Sequence, residues 1–322
     1  VHGEKVRRSL DLRSWEAAVR LIREWEIHRP SEVLTVQNAC DRFLEDCQAR
    51  KLSGGMQTKY RNVTLELGRK LGTLPLRSVT IDDIRRIRES WKLAPMTTQK
   101  RLEMVRSFFR FCVDSGWVEK NPSRAIKLSV VRFAPTLPFS DEEIERILWA
   151  CETVREIHPK IPAGTEKKLK ALILLMRYSG IRISDAVMMK RDRIKKGKLF
   201  VYTQKTGVPV WVPLPKEVLD ALAGCDEGDG FYFRRGVGTV KTEITEWQQR
   251  LKLVYKIAGL PDGHSHRLRD TFAVALLTKG VPLQTVSVLL GHSSINTTER
   301  HYAPWVKARQ IELERAVTAT WA

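Results

Sequence analysis

The stretch Gly291-His292-Ser293-Ser294-Ile295-Asn296-Thr297-Thr298-Glu299-Arg300-His301-Tyr302 carries the most informative pattern in the chain. It sets a histidine and a tyrosine on one short turn-helix element near the C-terminus. Read with His266-Arg267-Leu268-Arg269, Arg182 and Lys205 upstream, it gathers cations around a single candidate nucleophile, the Tyr302 phenol. A free phenol has a pKa of about 10, so it attacks only where positive charge or a base assists it. Two arginines, a lysine and two histidines supply such surroundings. Tyr302 is one of six tyrosines, and most tyrosines are packing residues, so the joint pattern carries the argument rather than the residue alone.

Working upstream, His266-Arg267-Leu268-Arg269 opens a helix whose apolar face continues through Phe272, Ala275 and Leu276. His266 and Arg269 stand three apart, share a face and can grip one phosphate. His264 and Arg267 have the same spacing; the later pair is favoured because Leu268 and Phe272, four apart, form the buried stripe beside it. Ser179-Gly180-Ile181-Arg182-Ile183-Ser184-Asp185 follows an apolar helix that Gly180 ends. Arg182 then sits near the next N-terminus, where backbone N–H groups and the helix dipole also favour an anion. An arginine there can fork two phosphate oxygens, although taken alone a surface pair with Asp185 is the commoner fate. Lys205, in the hairpin turn Lys205-Thr206-Gly207, can reach across a minor groove or protonate a leaving oxygen; hairpin tips also carry solvent lysines routinely. His264, His266, His292 and His301 invite a metal reading, but Arg269 would sit beside the cation and no carboxylate or cysteine occurs at ligand spacing. No metal is expected.

Around these motifs the chain divides. Residues 1–30 look like an arm or linker remnant with an N-capped helical pattern from Ser14. Residues 31–132 read as a small helical bundle: Ala39, Phe43 and Cys47 line a first helix, and periodic segments follow at 57–71, 81–91 and 97–115. In the last, Leu102, Val105, Phe109 and Cys112 recur at helical spacing, with Arg101, Arg106 and Arg110 on other faces; Gly116 and Asn121-Pro122 end it. Pro135 and Pro138 make 133–139 the interdomain linker. Ser140-Asp141-Glu142-Glu143 is a capping-box helix start. The second domain, 140–305, then shows an apolar helix at 167–179, two strands at 198–204 and 208–214, and helices at 242–258, 268–279 and 283–290. Residues 306–322 suit a tail helix. The predicted class is mainly α with a small β-sheet.

The 322 residues carry 56 Lys+Arg against 37 Asp+Glu, a formal charge of +19, so a large polyanion is the natural partner. The excess lies in both large segments, with 20 basic and 11 acidic residues in 31–136 and 29 and 21 in 137–322. Five cysteines, Cys40, Cys47, Cys112, Cys151 and Cys225, lack metal-finger spacing and cannot all pair, so buried free thiols in a reducing compartment are expected. With no long apolar run and no signal-peptide pattern, a soluble, cytoplasmic, nucleoid-associated protein is expected. The chain starts at Val1 without Met, so further residues can precede it.

In combination, Ser179-Gly180-Ile181-Arg182-Ile183-Ser184-Asp185, Lys205 in its hairpin, His266-Arg267-Leu268-Arg269-Asp270-Thr271-Phe272-Ala273, and Leu289-Leu290-Gly291-His292-Ser293-Ser294 followed by Thr297 to Tyr302 resemble the tyrosine recombinases, or phage-type integrases. The likeness covers the organisation of 34–305. It implies a helical, SAM-like core-binding domain and a mixed α/β catalytic domain forming a C-shaped clamp on double-stranded DNA. By the same resemblance, Arg182 and Arg269 bind the scissile phosphate, and Tyr302 attacks to give a 3′-phosphotyrosyl enzyme and a free 5′-hydroxyl. Lys205 is the general acid, His266 moves the tyrosine proton, His292 bonds the phosphate, and Asp185 supports the site from behind. The phosphodiester energy stays in the covalent bond, so no cofactor, ATP or metal is implied. The resemblance further implies a homo-tetramer on two DNA sites, joined through a tail stripe of Val306, Leu313, Val317 and Trp321, and accessory DNA-bending proteins. The alternatives are a type IB topoisomerase-like relaxing enzyme and a DNA-binding protein that has lost cleavage. Two departures stand out. Tyr302 lies ten residues after His292 where nine is usual, which a flexible turn is expected to absorb, and Asp270 stands where many members have histidine, which is expected to matter little.

Overall fold

The computed structural model describes residues 15–16, 19, 34–128, 137–203, 207–225, 230–234, 236, 238–306, 311, 314–315 and 317–321. Nearly all of the expected arm at 1–30, and residues 204–206 of the hairpin turn, Lys205 included, lie outside these residues. Contacts divide the chain into two units, Val1–Phe133 and Ala134–Ala322.

The first unit contains α1 (Val36–Ala49), α2 (Gly54–Leu71), α3 (Ile81–Glu89) and α4 (Pro95–Asp114). Each start is chemically marked. Thr35 and Ser53 cap α1 and α2, Thr80 and Asp83 form a capping box on α3, and Pro95 takes the first position of α4, where its missing N–H costs nothing. The expected apolar stripes face one core. Ala39, Phe43 and Cys47 of α1 meet Leu102, Val105, Phe109 and Cys112 of α4, and Phe43 sits edge-on to Phe108 at 5.6 Å. Two of the arginines read as outward are engaged locally: Arg101 pairs with Glu66 at 2.8 Å, and Arg106 donates to the carbonyls of Ser123 and Arg124.

The second unit opens at α5 (Asp141–Ile157), with the Ser140 and Glu143 capping box formed as its sequence demands. The expected linker is bound at its described end. Phe139 is buried and donates its N–H to Thr271 Oγ1 at 2.8 Å, while Leu137 and Pro138 accept from Arg267 at 3.0 and 3.2 Å. An aromatic ring after the prolines has more to gain from the core than from solvent.

Next, α6 (Thr165–Ser179) buries seven of its apolar side chains, Leu169 and Ala171 to Met176, which suits a helix enclosed on most sides. It packs against α5, α8 (Lys216–Ala223) and α10 (Ser265–Thr278), and leads through Gly180 into the short α7 (Ile183–Val187). The sheet has three antiparallel strands rather than two: β1 (Ile194–Lys195), β2 (Lys198–Tyr202) and β3 (Pro209–Pro213) in that order. The extra strand turns at Lys196 and Gly197, both at positive φ, the backbone a tight two-residue hairpin requires. Helices α9 (Val240–Ile257), α10, α11 (Leu283–Leu289) and α12 (Ile295–Tyr302) complete the unit. A core patch of Val210, Val212, Phe272, Val286, Leu290 and Tyr302 ties the sheet to the last three helices. All five cysteines are buried free thiols.

Candidate active site

The site begins where α6 stops. Gly180 ends the helix at φ +64, and a Cβ there would collide with the Phe272 ring and stand 3.1 Å from Leu290 Cδ2. Glycine therefore lets α6, α10 and the end of α11 converge. Arg182 occupies the N-cap position of α7, and its Nη1 is buried with no hydrogen-bond partner among the described residues. Asp185, one turn on, is 2% exposed. Gly291, at φ +60, does the same service on the other side, where a Cβ would lie 2.8 Å from Thr203 Cγ2.

Arg269 is 1% exposed at the centre. Its Nη1 donates to the Gly180 carbonyl and its Nη2 to the Leu290 carbonyl, both at 2.6 Å, so the two loops are pinned by one guanidinium. Nη2 also stands 2.9 Å from His292 Nε2. A guanidinium only donates, so Nε2 accepts, and the proton lies on Nδ1, which donates to Thr298 Oγ1 at 2.7 Å. Burial, then the neighbouring Arg182, bring the Arg269 pKa down to about 10, and the group stays charged at neutral pH. Burial, then Arg269 and Arg182, press the His292 pKa down to about 3. Both ring nitrogens of His292 are engaged in this arrangement, and the residue braces Arg269.

This brace has a pH signature. The His292 pKa is depressed in the fold, so the unfolded chain binds the extra proton once pH drops below the ordinary 6.5. Stability from this group is complete above 6.5 and declines toward pH 3. The melting temperature of His292→Gln is expected to fall less steeply than that of wild type between pH 6.5 and 4; equal slopes would remove the brace.

Tyr302 closes the site from α12. Thr298 and Tyr302, one helical turn apart, are 0% and 2% exposed, whereas His301 is exposed. Most of the span between His292 and Tyr302 is thus helix, Ile295–Tyr302, rather than flexible turn. A one-residue step rotates a helical side chain by roughly 100°, and it is Tyr302 that faces inward. Its hydroxyl donates to Asp270 Oδ1. Burial first, then the Asp270 charge and hydrogen bond, raise the phenol pKa, with Arg269 and Arg182 pulling the other way. His266 lies at the rim, its Nε2 3.8 Å from Asp270 Oδ1 and its side chain 58% exposed.

Arg182, Asp185, His266, Arg269, His292 and Tyr302 are thus brought together, while Lys205 lies outside the described residues. Arg267 turns away to Leu137, Pro138 and Glu143, while Arg269 lies at the centre beside Arg182, His292 and Tyr302. Three residues of the site were not legible as such: Gly180, Thr298 and Asp270. The expectation that Asp270 matters little is corrected, because its carboxylate is 1% exposed and holds the Tyr302 hydroxyl. Its spacing of four from His266 was the available signal.

Residues 139–308 match the phage integrase family. The chain is 30% identical over 220 residues to the tyrosine recombinase XerC of Erythrobacter litoralis, covering 66% of this chain and 71% of that protein. It is 28% identical over 295 residues to XerD of Ralstonia nicotianae, covering 84% and 89%. Its fold is similar to that of a lambda integrase tetramer bound to a Holliday junction, with a TM-score of 0.68, 20% identity, and 87% and 85% of the two chains covered. A second similar fold is the Tn1549 transposon integrase in complex with a circular intermediate DNA, with a TM-score of 0.62 and 17% identity over 82% of this chain and 94% of the other. The chain belongs to the phage integrase family and is a tyrosine recombinase, an enzyme of site-specific DNA strand cleavage and transfer. These relatives lend no support to the topoisomerase alternative.

Proposed function

We propose that Tyr302 attacks the scissile phosphate of a duplex DNA site, forming a 3′-phosphotyrosyl bond and releasing a 5′-hydroxyl, while Arg182 and Arg269 hold the non-bridging oxygens. The observation that carries this reading is the site's charge pattern: a buried guanidinium, a second one with an unpartnered buried N–H, and an inward phenol within electrostatic reach of both. The phosphorane formed on attack bears one more negative charge than the phosphodiester. Fixed donors in a site shielded from water favour that charge, and losing one such donor costs roughly 10²–10³ in rate. His292 keeps Arg269 in place, and Asp185 adds an opposite charge behind it. Lys205, between the strands that end at Tyr202 and resume at Pro209, is assigned as the acid on the 5′ oxygen. His266 takes part in moving the tyrosine proton.

Double-stranded DNA is the proposed partner, with 31–132 reading the site and 140–305 performing the chemistry. The charge of +19 supports it, as do the similar lambda integrase structures, one a dimer bound to a core site and one a tetramer bound to a Holliday junction. A homo-tetramer on two sites is proposed accordingly. Val317 and Trp321 are 50% and 78% exposed, which supports docking of the 306–322 tail on a neighbouring subunit; Val306 is half-buried on its own core, and Leu313 lies outside the described residues. Accessory DNA-bending proteins and a nucleoid location extend the same reading. No described helix is long and apolar enough to cross a membrane.

The test is covalent capture. Incubated in EDTA with duplex fragments from the flanks of its own coding sequence, the protein is expected to form an SDS-resistant adduct, and peptide mapping is expected to place the nucleotide on Tyr302. Attachment to any other residue would overturn the assignment.

A further inference from the structure

Asp270 directly follows Arg269 on α10, and its two oxygens are used unequally. Oδ1 accepts from Tyr302, while Oδ2 is buried with no hydrogen-bond partner among the described residues. His266, one turn earlier, stands 3.8 Å from Oδ1 with its side chain 58% exposed. From the interior outward the order is phenol, carboxylate, imidazole, solvent. The groups facing this carboxylate are Tyr302 from α12 and Arg269 and His266 from its own helix, and Arg182 from the start of α7 lies within electrostatic reach of all three. His264, Asp185, His292 and His301 form the charged and titratable surround. The acceptor of the Tyr302 hydroxyl hydrogen bond is thus this carboxylate rather than the imidazole.

We propose that Asp270 is a catalytic residue, the acceptor of the Tyr302 proton during cleavage and its donor during rejoining, with His266 exchanging that proton with solvent. As Tyr302 Oη bonds to phosphorus, its O–H bond breaks and the proton passes to the Asp270 carboxylate. The electron pair of the P–O5′ bond leaves on the 5′ oxygen, which takes a proton from the general acid. In the reverse step the 5′-hydroxyl attacks, the P–Oη pair returns to the phenol oxygen, and Asp270 gives the proton back. A carboxylate suits this task because protonation neutralises it at the moment when the adjacent phosphorane gains a negative charge. A neutral or cationic acceptor would gain positive charge instead, beside two arginines. The burial of Tyr302 makes full transfer before attack uphill, so proton loss accompanies bond formation.

The inference rests on Tyr302 being the nucleophile, and its test separates the two. Asn in place of Asp270 keeps an oxygen that accepts the phenol hydrogen bond but cannot take the proton. In single-turnover adduct formation on the same flanking duplexes, Asp270→Asn is expected to be slower by about 100-fold or more at neutral pH, with DNA affinity retained. Its rate is expected to climb with pH, about tenfold per unit, because hydroxide must replace the missing base, while the wild-type rate stays flat. A rate close to that of wild type, or the same deficit at every pH, would overturn the proposal. Asp270→His supplies a second reading should the Asn protein melt early: an imidazole restores a proton acceptor, so it is expected to exceed Asn at least about tenfold, with a rate that falls off below the histidine range. Equal rates for His and Asn would again overturn it. An adduct formed by Tyr302→Phe would instead sink the nucleophile assignment, whatever Asp270 does.

Discussion

Replacing Tyr302 with Phe is expected to abolish the covalent protein–DNA adduct and leave DNA affinity in place. The reason is atomic: in the proposed mechanism the phenol oxygen forms the bond to phosphorus, and phenylalanine has no such oxygen. The same substitution carries a stability effect that the catalytic reading alone does not foresee. Asp270 is 1% exposed and Oδ1 takes its hydrogen bond from Tyr302, so Phe leaves a buried carboxylate without that donor. An unsatisfied buried acceptor costs about 1–3 kcal/mol, more when charged. Thermal melting is expected to shift down in Tyr302→Phe and to recover in part when Asp270→Asn is added, a coupling that a double-mutant cycle reads directly. Additive shifts would mean that the hydroxyl and the carboxylate do not depend on one another.

Arg269→Lys is expected to lower cleavage by about 10²–10³ and also to destabilise the second unit. The charge survives this change but the geometry does not. One guanidinium reaches the Gly180 carbonyl, the Leu290 carbonyl and His292 Nε2 at once. An ammonium on a flexible stem cannot span those three acceptors and a phosphate. DNA affinity is expected to change little, because at most one phosphate contact is altered. The informative control is Arg267→Lys. Arg267 holds Leu137, Pro138 and Glu143, so its loss is expected to lower the melting temperature while single-turnover cleavage stays within a few-fold. If Arg267→Lys lost cleavage and Arg269→Lys kept it, the register of the site would be reversed.

Much of the second unit was readable because its signals are local. The Ser140 and Glu143 capping box, the apolar run that becomes α6, and Gly180 as its stop each depend on residues a few positions apart. The third strand escaped because two residues, Ile194 and Lys195, are too few for any alternation to show. Phe139, read as the end of the linker, packs in the core because it finds Thr271 and stacks on Tyr255 at 5.6 Å, partners more than a hundred residues away.

By itself the sequence determined the mainly helical class, the strongly basic character and the set of side chains from which an anion site can be built. These follow from periodicity, caps and charge, which act over a few residues or over the whole composition. The tertiary structure decided which of two adjacent side chains, His301 or Tyr302, faces inward, which histidine nitrogen carries a proton, and that Asp270 holds the phenol. Each of those depends on the ends of α6 and α11 being drawn to α10 by the buried Arg269, with α12 packed beside them, and no spacing along the chain encodes that meeting.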